Sequence, residues 1–87
     1  MLSTICKWFK IHSMDKMTLR KNIGTNIKLL RTKKNWSQET LAEKAGTIQQ
    51  YIERIENQKS EVGSYLLVNI AEALEVSIDT LIHEIKI

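Results

Sequence analysis

The residues best suited to chemistry lie between Gln49 and Asn57. Ile48, Ile52 and Ile55 are spaced by four and three, the signature of one side of a helix. With those three turned inward, the helical period points Gln49, Gln50, Glu53, Arg54 and Asn57 outward. The outcome is a row of amide and guanidinium groups. Such groups offer paired hydrogen bonds to base edges in a major groove, glutamine to adenine and arginine to guanine, each worth roughly 1–3 kcal/mol of discrimination. Long polar side chains also solvate ordinary surface helices, so the row gains meaning only from what precedes it.

What precedes it is a tight turn. Ser37 reads as an N-cap, Gln38 and Glu39 follow, and Leu41, Ala42 and Ala45 supply the inner side of a short helix that Gly46 ends. Only Thr47 separates Gly46 from the next apolar series, and Thr47 with Gln50 has the spacing of a capping box. Two short helices joined this closely must cross at a steep angle, the geometry of a helix-turn-helix, and the small Ala42 permits close approach.

The flanking segments are helical too. Leu19, Ile23, Ile27 and Leu30 line one side of a first helix, leaving Arg20, Lys21, Lys28 and Arg31 on other faces. It should stop near Asn35, with Lys33 and Lys34 facing the negative end of the helix dipole. After a polar stretch, Leu66, Leu67, Ile70, Ala71 and Leu74 give a fourth helix, and Ser77 caps a fifth containing Ile78, Leu81, Ile82 and Ile85. The expectation is an all-α bundle of five short helices.

Residues 1–17 form an N-terminal extension, either an arm or a loosely packed segment, and residues 18–87 form the helix-turn-helix domain with a C-terminal dimerisation helix. The extension is no secretion signal, because Lys7 and Lys10 split its apolar residues. Nothing in the chain is apolar for long enough to span a membrane. Eighty-seven residues, 43% hydrophobic and 26% charged, suit one packed domain and no second. Cys6 is alone, so no internal disulfide can form and a reducing cytoplasm is expected. His12 and His83 are too scattered for a metal site, no cofactor is implied, and no catalytic set shares one face, so enzymatic activity is not expected.

The net charge of +3 conceals an asymmetry. Residues 1–34 carry nine basic residues and one acid, a balance of +8, and the remainder carries −5. One face or arm therefore meets a polyanion, and the amide row favours nucleic acid over a membrane surface.

Residues 23–82 resemble the Cro/repressor-type (XRE-like) helix-turn-helix family. The resemblance rests on Ser37-Gln38-Glu39-Thr40-Leu41-Ala42, Ala45-Gly46, Ile52, Arg54-Ile55-Glu56-Asn57 and Ile70-Ala71-Glu72-Ala73-Leu74-Glu75-Val76-Ser77, all at the family's spacing. The run from Gly46 to Glu53 is similar to the recognition region of lambdoid phage repressors, which makes Thr47, Gln49, Gln50 and Tyr51 candidate DNA contacts. The resemblance implies a compact lambda-repressor-like bundle in which Gln49 and Gln50 read bases and Arg54 reads bases or grips phosphate. It further implies that Gln38 and Asn57 touch the sugar-phosphate backbone, and that Arg31 and Glu56 pair beneath the DNA-binding surface. Lys59 is the candidate phosphate contact of the following loop, where Glu61 opposes it. Gln58 stands where the family has glycine, so the chain either adopts a left-handed conformation there or takes a different path. Glu53 is expected to orient a neighbouring glutamine or arginine.

One recognition helix reads few base pairs, so a homodimer on a palindromic operator is expected, joined through Leu81, Ile82, Ile85 and Ile87. The function implied is a sequence-specific transcriptional regulator acting on double-stranded DNA, of phage-repressor, restriction-modification controller or antitoxin type. RNA polymerase or a toxin would be its further partner. The rival reading is a protein-interaction module on the same fold.

Overall fold

The computed structural model describes residues 15–84. Among them are five helices and no strand: α1 Lys16–Lys33, α2 Gln38–Ala45, α3 Gln49–Glu56, α4 Ser64–Leu74 and α5 Ile78–Ile82. The Trp8 and Phe9 region of the extension lies outside the described residues, but Lys16 and Met17, assigned above to the extension, belong to α1. The helix starts earlier than the apolar pattern because Asp15 caps it, accepting the Thr18 N–H at 2.7 Å. That bond holds the Asp15 carboxyl below its ordinary pKa, so the cap is strong at neutral pH and is lost as acid protonates it.

The chain turns corners by one repeated device. Asn35, Gly46, Gln58 and Glu75, each just past a helix, have φ of 59°, 75°, 63° and 61°. After α2 the Gly46 N–H meets the Glu43 carbonyl and the Thr47 N–H meets the Ala42 carbonyl. After α3 the Gln58 N–H meets the Ile55 carbonyl and the Lys59 N–H meets the Arg54 carbonyl. Each closure satisfies carbonyls that the helix end would leave unpaired. Gln58 thus adopts the left-handed conformation without being glycine.

The helices pack α2 on α3 and α4, and α1 on α3, α4 and α5. Ile27, Leu41, Ile52, Ile55, Ile70, Leu74 and Leu81 are fully buried at the centre. α1 can cross α3 closely because Gly24 has no side chain: a Cβ there would lie 2.5 Å from the Ile55 carbonyl oxygen.

α5 is held differently. Its five residues end without a left-handed cap, and α1 supplies the missing donors. Asn26, buried, shares the two hydrogens of its Nδ2 among the carbonyls of Thr80, Leu81 and His83, the Leu81 contact at 2.8 Å. Asn22 donates to the Ile82 carbonyl at 3.1 Å. This corrects the expected dimer seam: Leu81 is 0% exposed, because a single turn of helix tied to α1 drives it into the chain's own core. Ile82 is half-buried against that core, and Ile85 and Ile87 lie outside the described residues. No described helix is long and apolar enough to cross a membrane.

Candidate nucleic-acid interface

α3 presents the amide row on its outer side. Ile52 and Ile55 are buried, while Gln49, Gln50, Glu53, Arg54 and Asn57 are all exposed. Two expectations at the start of the helix fail together. Ile48 is 63% exposed instead of inward, and the Thr47–Gln50 capping box is absent. The cause lies in the turn: the Thr47 N–H closes the end of α2, so α3 begins one residue later with Ile48 as its N-cap. Ile48 is extended, at φ −110° and ψ 154°, and the helical period that would have turned it inward does not yet apply. Its carbonyl accepts the Tyr51 and Ile52 N–H groups.

The loop after α3 is braced against the helix. The half-buried Tyr51 donates through its hydroxyl to the Glu61 carbonyl at 2.9 Å, and Arg54 Nε donates to Ser60 Oγ at 2.9 Å. Tyr51 is therefore occupied as a strut, whereas the exposed Arg54 has only its Nε engaged among the described residues. Glu61 does not oppose Lys59. It accepts from Arg20 at 3.0 Å and lies 3.6 Å from Lys16, contacts that hold its carboxyl below its ordinary pKa. Lys59 is exposed and makes no ion pair among the described residues. Glu53 likewise makes no hydrogen bond or ion pair there, so the expected orientation of a glutamine or arginine is not seen.

Beneath this surface Arg31 and Glu56 form a buried bidentate pair. Arg31 Nε donates to Glu56 Oε2 at 2.6 Å and Nη2 donates to Oε1 at 2.9 Å. The pair gathers neighbours: Arg31 Nη1 donates to the Trp36 carbonyl at 2.7 Å, and Gln38 Nε2 donates to Glu56 Oε1 at 3.1 Å. Gln38 is thus half-buried and anchored inward, and its amide has a second hydrogen to offer outward. Ser37 caps α2 through the Thr40 N–H at 3.0 Å, leaving the first amides of α2 directed at solvent, where the helix dipole favours a phosphate.

One feature of this edge escaped sequence reasoning. Lys34 and Lys44 lie 5.2 and 5.0 Å from the centre of the Trp36 ring, flanking it at the turn that leads into α2. The indole holds two cations beside the Gln38 end of the interface. Only the fold brings Lys44 to Lys34. Thr47, half-buried in the turn, is the remaining candidate contact.

The arrangement can be set beside known proteins. The helix-turn-helix family model HTH_3 matches residues 27–81. A comparison with curated sequences returns no match. Among solved structures, the restriction-modification controller protein C.AhdI from Aeromonas hydrophila is 31% identical with a TM-score of 0.69, the match covering 71% of this chain and 94% of that one. The hypothetical transcription factor NHTF from Neisseria is 30% identical with a TM-score of 0.74, covering 82% of each chain. The clp gene regulator ClgR from Corynebacterium glutamicum is 32% identical with a TM-score of 0.69, covering 74% of this chain and 69% of that one. A family match over most of the chain, on a bundle whose second and third helices meet in this turn, means that the protein belongs to the HTH_3 helix-turn-helix family.

Proposed function

We propose that this protein is a sequence-specific transcriptional regulator that binds a palindromic DNA operator as a homodimer, blocking or recruiting RNA polymerase. The observation that carries the reading is the exposed row Gln49, Gln50 and Arg54 on α3, flanked by groups able to donate hydrogen bonds to phosphate: Gln38 and the first amides of α2 on one side, Asn57 and Lys59 on the other. Base-edge groups in the centre and backbone contacts at the margins are the division of labour that specific recognition requires. A dimer supplies the second half-site. α4 and α5, packed together, leave Tyr65, Val68 and Ile78 exposed, and these with Ile82 form its apolar seam. Within this class, similarity to nearly the whole length of a controller protein favours a restriction-modification controller.

Selection of bound duplexes from random DNA tests the reading, followed by binding titrations of variants. Gln50→Ala relaxes preference at one position of each half-site, at a cost of roughly 1–3 kcal/mol. Lys59→Ala weakens all sequences alike and lowers the salt slope by about one. A Gln50→Ala protein with unchanged affinity and preference would remove Gln50 from the base-reading set.

A further inference from the structure

The loop between α3 and α4, residues 57–63, carries Asn57 and Lys59 yet is thinly packed. Val62 is its one large apolar side chain, and it is only half-buried. An open cleft of about 230 Å³ lies between the loop and the first turns of α1, lined by Leu19 and Ile23 on one side and by Ser60 and Glu61 on the other. A loop that spans a cleft takes its position from polar ties more than from close packing.

Among the described residues three side-chain ties hold it. The Tyr51 hydroxyl donates to the Glu61 carbonyl and Arg54 Nε donates to Ser60 Oγ, both from α3. The third comes from a different helix: Arg20 Nη2 of α1 donates to Glu61 Oε1 at 3.0 Å, with Lys16 Nζ 3.6 Å from the same oxygen. This tie has two penalties. Arg20 Nε is buried without a hydrogen-bond partner, and an unsatisfied buried donor destabilises a fold. Glu61 also puts a carboxylate two residues from Lys59, in a loop set against DNA, where an acid ordinarily repels the polyanion. A contact that weakens both terms is explained by what it holds in place.

We propose that Glu61 is a positioning residue: drawn onto α1 by Arg20 and Lys16, its carboxylate fixes the α3–α4 loop where Lys59 meets a DNA phosphate. The assignment rests on the DNA-binding reading above and deepens it, because the first turns of α1 then serve the interface without touching DNA.

The test measures binding of Glu61→Gln to the duplex selected by the wild-type protein, as a function of salt. The substitution removes a negative charge and frees two cations, so a residue acting through its charge alone would give tighter binding and a steeper salt slope. Positioning gives the reverse: roughly three- to five-fold weaker binding per half-site, with the slope lowered by about one, as for Lys59→Ala. The double variant, Glu61→Gln with Lys59→Ala, binds no more weakly than Lys59→Ala alone. Glu61→Ala repeats these results, and the melting temperature of each variant stays within a few degrees of the parent, because the Glu61 side chain is 61% exposed. Binding by Glu61→Gln as tight as the parent's or tighter overturns the proposal, as do losses that add in the double variant. A melting temperature lower by more than about 10 °C would assign Glu61 to the stability of the whole domain and overturn it too. Failure of the wild-type protein to select any sequence would overturn the DNA-binding reading itself, a separate outcome.

Discussion

Arg31 and Glu56 have side chains only 10% and 1% exposed, and a charge so placed is tolerable only while its partner remains. Arg31→Ala should therefore cost ~3–5 kcal/mol in chemical denaturation, mostly because it strands the Glu56 carboxylate. Replacing both, as Arg31→Met with Glu56→Leu, should come close to the parent stability. A loss under about 1 kcal/mol for the single variant would mean that water reaches the pair. The two residues stand 25 apart in sequence, and no periodicity joins them; family resemblance alone brought them together. The links to Gln38 and to the Trp36 carbonyl were beyond sequence reasoning, because they depend on how three helix ends converge. Gln49, Gln50, Arg54 and Asn57 were legible from the period, which holds once α3 is under way. Ile48 was not, because it lies before the first helical residue.

Helices as units were readable from apolar spacing, and their ends from Ser37, Gly46 and Ser77, whose side chains or conformations act locally. Crossings between helices were not. Gly24 has no visible role in the pattern of α1, since it interrupts neither the period nor the helix. In the fold it is the point where α1 meets the backbone of α3, with the Ile55 and Glu56 carbonyl oxygens 2.5 and 3.2 Å from where a Cβ would stand. Gly24→Ala sets two effects against each other. Alanine gains ~1 kcal/mol of helix propensity, whereas overpacking against rigid backbone costs roughly 1–3 kcal/mol. The clash should win, so the melting temperature falls by several degrees. A higher melting temperature would mean that α1 and α3 separate freely.

For the molecule as a whole, the proposed dimer is the feature least visible in the sequence. The C-terminal apolar residues read as surplus to a small core, yet Leu81 is fully buried within it. A seam of the proposed dimer would use what the core leaves outside, and light scattering at micromolar concentration should then give the mass of two chains. Val68→Glu should reduce it to one and lower affinity for the full palindrome more than for a half-site. A parent protein of single-chain mass would remove the dimer from the proposal. The charge layout is sharper in the fold than in the sequence, since Glu61 is engaged by Lys16 and Arg20 and leaves Lys59 without an ion pair at the candidate interface. The tie between Asn26 and the end of α5 joins residues more than fifty positions apart. During synthesis the ribosome releases α1 long before α5, so Asn26 and the cavity that Leu81 fills stay unsatisfied until nearly the whole domain has emerged. The nascent chain can form its helix-turn-helix early, but it cannot seal its interior until α5 arrives.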